Sequence, residues 1–125
     1  MLGDKVATAT IAVRDLGVAK RFYEDRLGLK IVKAEGSEAI LYECGASRLL
    51  VYKSEFAGTN KATAVTWVVG DDIEGAVSAL KERRVSFEHY EFPGTTLVGD
   101  VHVMGDMKIA WFKDPDGNIH ALVRR

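Results

Sequence analysis

The fold of this 125-residue chain is indicated most clearly by one stretch of its sequence, Ile109-Ala110-Trp111-Phe112-Lys113-Asp114-Pro115-Asp116-Gly117-Asn118. An apolar run ends in Asp-Pro-Asp-Gly-Asn, and a second strand-like stretch, residues 119–123, follows directly. Proline fixes φ, Asp and Asn side chains bond their own backbone, and glycine accepts positive φ. The pattern therefore predicts a rigid turn between two strands.

A second signature lies near the other end of the chain. It consists of Val13-Arg14-Asp15-Leu16, Phe22-Tyr23-Glu24 and Leu27-Gly28-Leu29. The preceding segment, Val6–Val13, is rich in β-branched and small residues, which predicts a strand. Asp15 is a natural N-cap for a helix whose apolar residues recur at helical spacing. Gly28 is expected in the left-handed conformation that ends this helix.

The order strand, helix, strands occurs twice, which predicts an α+β fold of two tandem βαβββ modules. In the first module, strands are expected at 30–33, 39–43 and 48–52. In the second, a strand at 63–69 precedes a helix at 73–83 capped by Asp71 or Asp72, and strands follow at 86–90, 99–104, 108–113 and 119–123. One domain is predicted, with modules at 1–56 and 63–125 joined by a linker at 57–62.

Composition excludes several classes of function. A net charge of −1 and a pI near 6.3 give no electrostatic case for binding nucleic acid or an anionic membrane. The apolar stretches are far shorter than a membrane span. The first residues lack the apolar core of a signal peptide, and a lone cysteine, Cys44, forms no internal disulfide. We expect a cytoplasmic protein in which Cys44 is a bystander thiol.

The two signatures, with Ile11-Ala12-Val13-Arg14-Asp15-Leu16 and Ala110 to Asn118 as their fullest forms, resemble the vicinal oxygen chelate superfamily. This group holds glyoxalase I, extradiol dioxygenases and bleomycin-resistance proteins, and the resemblance runs from about Val6 to Val123. It implies two four-stranded sheets that curl into an incomplete barrel, with a helix on the outer face of each and a ligand cleft inside. It also implies a homodimer. The scaffold hosts enzymes and non-enzymatic binders, so it does not decide the function.

In metal-dependent members of this superfamily, one His or Glu from each of four strands holds a divalent ion in the cleft. The matching positions here are Thr8, Leu50, Ala64 (Val65 in the neighbouring register) and Ala121. None offers an imidazole or carboxylate, so the sequence predicts neither a metal nor another cofactor. A one-residue slip in register would turn His120 inward, which makes His120 and His102 the fallback ligands. The competing interpretation places His120 beside Leu122 on the helix-packed face.

Strand alternation predicts an apolar cleft with a few hydroxyl groups, lined by Thr8, Thr10, Leu50, Tyr52, Ala64, Thr66, Trp111 and Ala121. Such a lining suits a flat or apolar organic molecule. We expect a metal-free binding protein of the bleomycin-resistance type with no catalytic residues. One alternative is a metal-dependent lyase, isomerase or dioxygenase with displaced ligands. Another is a module whose filled groove serves a protein partner.

Overall fold

The computed structural model describes residues 1–124 and consists of two short helices and ten strands. The first module contains β1 (Ala9–Val13), α1 (Leu16–Lys20) with a π-helical extension (Arg21–Arg26), β2 (Lys30–Glu35), β3 (Ala39–Cys44) and β4 (Ser47–Lys53). The second contains β5 (Thr63–Val68), α2 (Ile73–Glu82), β6 (Phe87–Glu88), β7 (Thr96–Val98), β8 (Val101–Met104), β9 (Met107–Lys113) and β10 (Ile119–Arg124). No helix among these residues has the length and apolarity needed to cross a membrane.

Each module forms a mixed sheet of similar topology. In the first, the order is β1-β4-β3-β2, and β1 runs parallel to β4. In the second, the order is β5-β10-β9-β8-β7, with β5 parallel to β10 and β6 paired with β9. Strands β1 and β5 lie next to each other, so the two sheets form one open, incomplete barrel. The predicted α+β class and module order are confirmed.

The first helix begins as the sequence predicts and ends in an unexpected way. The carboxylate of Asp15 accepts a bond from the backbone N–H of Val18, and Gly28 has a φ of 74°. Between them the helix widens into a π-helical turn, in which Leu27 N–H donates to the carbonyl of Phe22 at 3.0 Å. The wider turn buries two consecutive side chains, Phe22 and Tyr23.

A single core joins the two modules. Buried side chains from β1, α1 and β4 pack in one cluster with those from α2, β9 and β10. Alternation along β1 is clear, because Ile11 and Val13 are buried and Thr10 is exposed. Phe22 of the first module contacts Phe112 of the second at a ring-centroid distance of 6.3 Å. Removal of these apolar side chains from water stabilises the two modules as one unit.

The structure differs from the sequence-based assignments at several local points. Strand β1 starts at Ala9 rather than Val6, and the strand expected at 86–90 is only Phe87–Glu88. Residues 96–98, for which no strand was predicted, form β7, which pairs with β8 and lengthens the second sheet. Within the predicted linker, Ala57 is fully buried. The β7–β8 pairing is a local hairpin closed by Gly99-Asp100, a two-residue turn that lies inside the single strand expected at 99–104.

Candidate functional site

The eight cleft residues predicted from sequence are brought together in part. Cross-strand pairing sets Thr10 opposite Leu50 in the first sheet. In the second sheet, Ala121 lies opposite both Thr66 and Trp111. Tyr52 and Ala64 are exposed and Leu50 is half-buried, whereas Ala121 is buried. Thr8 precedes β1 and is exposed.

An open cleft of about 640 Å³ lies on the inner side of the second sheet. Trp111 and Ile119 line it from β9 and β10, the 58–63 segment forms its rim, and Tyr90 and Phe92 cover it from the chain after β6. This volume falls within the roughly 300–1,000 Å³ typical of small-molecule sites. Thr66 instead lines a second cavity, of about 740 Å³, beside Cys44. Within residues 1–124, the other six predicted residues line neither cavity.

Three aromatic rings form one wall of the cleft, which we call the aromatic wall: Tyr90, Phe92 and Trp111. The Trp111 ring lies 5.2 Å from Tyr90 and 5.7 Å from Phe92, both at inclined angles. Edge-to-face and tilted contacts of this kind are favourable because ring edges are positive and ring faces negative. The rings therefore support one another and offer a planar ligand an apolar surface.

His102 holds this wall from behind. It is fully buried, and its ring lies 4.8 Å from that of Trp111. Its Nε2 accepts the backbone N–H of Tyr90 at 2.9 Å, so Nδ1 carries the proton and donates to the carbonyl of Ile109 at 3.2 Å. Both ring nitrogens are used, and His102 acts as a support for the chain that carries Tyr90.

Four residues line the cleft that the strand pattern of the sequence did not predict there: Tyr90, Phe92, Asn60 and Lys61. The spacing of Tyr90 and Phe92 before Pro93-Gly94 was a usable signal, because paired aromatic residues at the base of a loop often contact a ligand. Nothing in the sequence around Asn60 and Lys61 indicated that they line the cleft. Their placement depends on how the linker packs against the Asp114–Asn118 turn.

The opposite, helix-packed face of the second sheet holds His120, also fully buried. Its ring stacks on Phe112 at 4.8 Å. Trp67 Nε1–H donates to His120 Nδ1 at 3.0 Å, and His120 Nε2 lies 3.0 Å from the hydroxyl of Tyr23. The alternative that places His120 on the helix-packed side describes the structure. The continuous register with β9 sets His120 opposite Phe112 and keeps it on this face, although the pairing of β10 with β5 shifts by one residue between Ile119 and His120.

The direction of these bonds follows from the donors available. Tyr23 donates its only hydroxyl proton to Asp114 Oδ2 at 2.7 Å, so His120 Nε2 must donate to the Tyr23 oxygen. Trp67 is a donor only, which fixes His120 as the neutral Nε2–H form. Burial lowers the pKa of His120 from 6.5 to about 4. Burial, followed by the neighbouring Asp114 carboxylate, raises the pKa of Tyr23.

The Asp114–Asn118 turn explains why its sequence is so specific. Asp114 Oδ1 accepts the backbone N–H groups of Asp116 and Asn118, and Asp114 Oδ2 accepts the Asn118 side-chain amide. The same amide donates to the carbonyl of Ala12, and Asp116 accepts from the backbone N–H of Arg14. The turn thus binds β1 of the first module directly. It is an intramolecular joint between the modules.

The cleft residues do not fit a divalent metal. The side chains at the four positions that the resemblance implies, Thr8, Leu50, Ala64 and Ala121, supply no imidazole or carboxylate. Among residues 1–124, no group of three or more His, Cys, Asp and Glu side chains is arranged to hold an ion. The fallback pair, His102 and His120, lies on opposite faces of one sheet with all ring nitrogens hydrogen-bonded.

Two further groups of titratable side chains lie outside the 640 Å³ cleft. His89 is half-exposed and binds Asp100 at 2.7 Å, and Lys81 binds the same carboxylate at 2.8 Å. The hydrogen bond from Lys81, then that from His89, lowers the pKa of Asp100. Burial, then the neighbouring Glu43, raises the pKa of the Cys44 thiol, which lowers its thiolate fraction and so its reactivity as a nucleophile.

Comparison with known proteins agrees with this architecture. Residues 5–122 match the sequence model of the Glyoxalase/Bleomycin resistance protein/Dioxygenase superfamily. No curated protein matches the sequence. Solved structures match over nearly the whole chain, at sequence identities that show the fold alone.

Three of these structures indicate the breadth of the group. A glyoxalase/bleomycin resistance protein/dioxygenase from Alicyclobacillus acidocaldarius has 18% identity and a TM-score of 0.72, covering 97% of this chain and 91% of its own. A lactoylglutathione lyase from Agrobacterium tumefaciens has 17% identity and a TM-score of 0.70, covering 97% and 93%. The fosfomycin resistance protein FosX from Mesorhizobium loti has 14% identity and a TM-score of 0.70, covering 98% and 92%.

Proposed function

The chain belongs to the Glyoxalase/Bleomycin resistance protein/Dioxygenase superfamily, and we propose that it is a metal-free binding protein for an aromatic small molecule. The observation that carries this proposal is the aromatic wall over a 640 Å³ cleft. Planar ligands gain from stacking and from apolar burial on such a surface. The ligand-binding residues we propose are Trp111, Tyr90 and Phe92, with Ile119 and the 58–63 rim.

The residues predicted from sequence differ in how closely we propose that they approach the ligand. Trp111 lies at the centre of the wall, and Ala121 lies behind it on the neighbouring strand. Thr10, Leu50 and Tyr52 belong to the inner face of the first sheet, and we propose that a large ligand reaches them. Thr66 lines the neighbouring 740 Å³ cavity.

The lining of the 640 Å³ cleft supports binding over catalysis. Within residues 1–124, it contains no histidine, cysteine or carboxylate side chain, and its proton carriers are Tyr90, Lys61 and Lys113. General acid–base catalysis most often uses a histidine or a carboxylate within hydrogen-bond reach of the substrate. A lyase such as the Agrobacterium protein shares the fold, so enzyme activity is the alternative that the experiment must separate.

The direct test combines metal analysis with ligand binding. Protein purified without chelator is assayed for divalent metals by elemental analysis, then titrated calorimetrically with naphthalene-type compounds before and after EDTA treatment. The proposal expects substoichiometric metal and saturable binding that EDTA does not change. Stoichiometric metal, or ligand binding that requires metal, would contradict the metal-free proposal and favour a metal-dependent enzyme.

A homodimer in the cytoplasm completes the proposal. Its structural support is the exposure of apolar side chains on the inner face and the β7–β8 hairpin, with Val68 58% and Val98 61% exposed. Patches of this kind on a small protein are often interfaces. Light scattering after size exclusion tests it. A mass of 13.7 kDa at all concentrations would contradict the dimer.

A further inference from the structure

We propose that the ligand is a planar aromatic molecule carrying a negative charge, with its ring on the aromatic wall and its anionic group at Lys61 and Lys113. This inference rests on the proposed binding function and adds the chemical class of the ligand.

The charges of the cleft have one sign. Lys61 and Lys113 are the charged side chains of its lining, and no carboxylate side chain lines it within residues 1–124. Glu88 approaches from outside the lining, with its Oε1 3.3 Å from Lys113 Nζ. Lys61 forms no ion pair within the described residues. The cleft therefore holds one paired and one available ammonium group.

A further cation lies close to the same rim. A Cβ placed on Gly58 would lie 3.2 Å from a guanidinium nitrogen of Arg14. Arg14 itself is paired with Asp116 at 3.4 Å, so its charge is balanced within the turn. The two carboxylates near the cleft are both paired, Asp116 with Arg14 and Glu88 with Lys113. Neither leaves an unpaired negative charge at the cleft. The excess charge at the rim is positive.

The two halves of the cleft differ in chemistry. The aromatic wall lies on the sheet and on the chain after β6, whereas Lys61 lies on the rim between β4 and β5. Asn60 Oδ1 accepts the backbone N–H of Ala62 at 3.0 Å, which fixes the chain on both sides of Lys61. A ligand that spans both halves has a flat apolar body and an anionic end.

An aromatic wall alone would also suit a cation, because ring faces attract positive charge. The lysines decide against it. A cationic ligand at the wall would be repelled by the available ammonium group of Lys61, whereas Glu88 offsets the charge of Lys113. An anion gains from the same groups through charge-assisted hydrogen bonds.

The experiment compares three probes of one shape: 1-naphthoate, 1-naphthamide and 1-naphthylmethylammonium. Their affinities are measured calorimetrically at low and high salt on wild-type protein, Lys61→Gln, Lys113→Gln and the double variant. Lys20→Gln, an exposed helix position outside the cleft, is the matched control. Circular dichroism verifies that each variant is folded.

We expect wild-type protein to prefer 1-naphthoate by about tenfold over the amide, as a charge-assisted bond predicts. The preference should shrink with added salt. Lys61→Gln should lower naphthoate affinity by about three- to tenfold and leave the amide unchanged, and Lys20→Gln should change neither. Equal or stronger binding of the amide or the cation would overturn the inference while the proposed function stands. Binding of none of the three would overturn the proposed function itself.

Discussion

Two buried histidines lie on opposite faces of the second sheet. One belongs to the contact that holds the two modules together, and the other supports the cleft that is open to a ligand. His120 lies on the helix-packed face, in a chain of hydrogen bonds that runs from Trp67 to Asp114. His102 lies on the inner face behind Trp111 and binds the backbone of Tyr90. Both are fully buried and fully bonded.

The difference lies in what each histidine joins. His120 binds Trp67 of β5 and Tyr23 of the π-helical extension, and Tyr23 in turn binds Asp114 of the turn, so these bonds hold the two modules together. The partners of His102 belong to the second module alone and support an exposed wall. One face of the sheet forms the buried contact between the modules. The other face is accessible, and its side chains can be substituted to suit different ligands without loss of the fold.

The largest effect should come from breaking the joint at Asp114. Asp114→Ala removes a buried carboxylate that accepts bonds from Tyr23, Asp116 and Asn118. Leaving these donors without a partner should lower the free energy of unfolding by about 4 kcal/mol. Urea unfolding measures it. Asp106→Ala, in an exposed turn, is the control, and an equal loss in both variants would contradict the role of Asp114.

The pH dependence of stability should reveal His120 next. Its pKa is about 4 when folded and 6.5 when unfolded, so the unfolded chain binds more protons between these values. The stability is therefore fully present above pH 6.5 and falls as pH drops toward 4. One pKa unit corresponds to about 1.4 kcal/mol, which gives a loss of about 3 kcal/mol.

His120→Gln removes this titration. Urea unfolding of both proteins at intervals from pH 7 to pH 4 gives the difference curve, in which effects of carboxylates such as Asp100 cancel. A wild-type curve parallel to that of the variant would mean that His120 is not desolvated in the native state.

A smaller effect is expected on the other face. His102→Phe keeps the ring packing against Trp111 but removes the acceptor of the Tyr90 N–H. Amide hydrogen exchange at Tyr90 should become about tenfold faster, because one hydrogen bond is lost. His102→Gln, which retains an acceptor, should restore part of the protection. Unchanged exchange at Tyr90 in His102→Phe would show that the wall does not depend on this bond.

More of the contact between the modules than of the cleft could be predicted from the sequence. The Asp114–Asn118 turn, the Asp15 cap and Gly28 are local features whose residue types dictate their backbone. Strand alternation also placed Trp111 inward. It could not place Lys61, Tyr90 and Phe92, because these residues reach the cleft through packing of the linker and of the chain after β6. The bonds of His120 are likewise tertiary, between residues far apart in sequence.

The most direct test of the proposed function uses the two tryptophans of the chain, one on each face. The indole N–H signals of ¹⁵N-labelled, EDTA-treated protein are followed by NMR during titration with 1-naphthoate, and Trp67→Phe assigns them. We predict a saturable shift of the Trp111 signal while that of Trp67, bonded to His120, stays in place. If neither signal moves, or if Trp111 responds only after a divalent metal is restored, the metal-free aromatic cleft is contradicted.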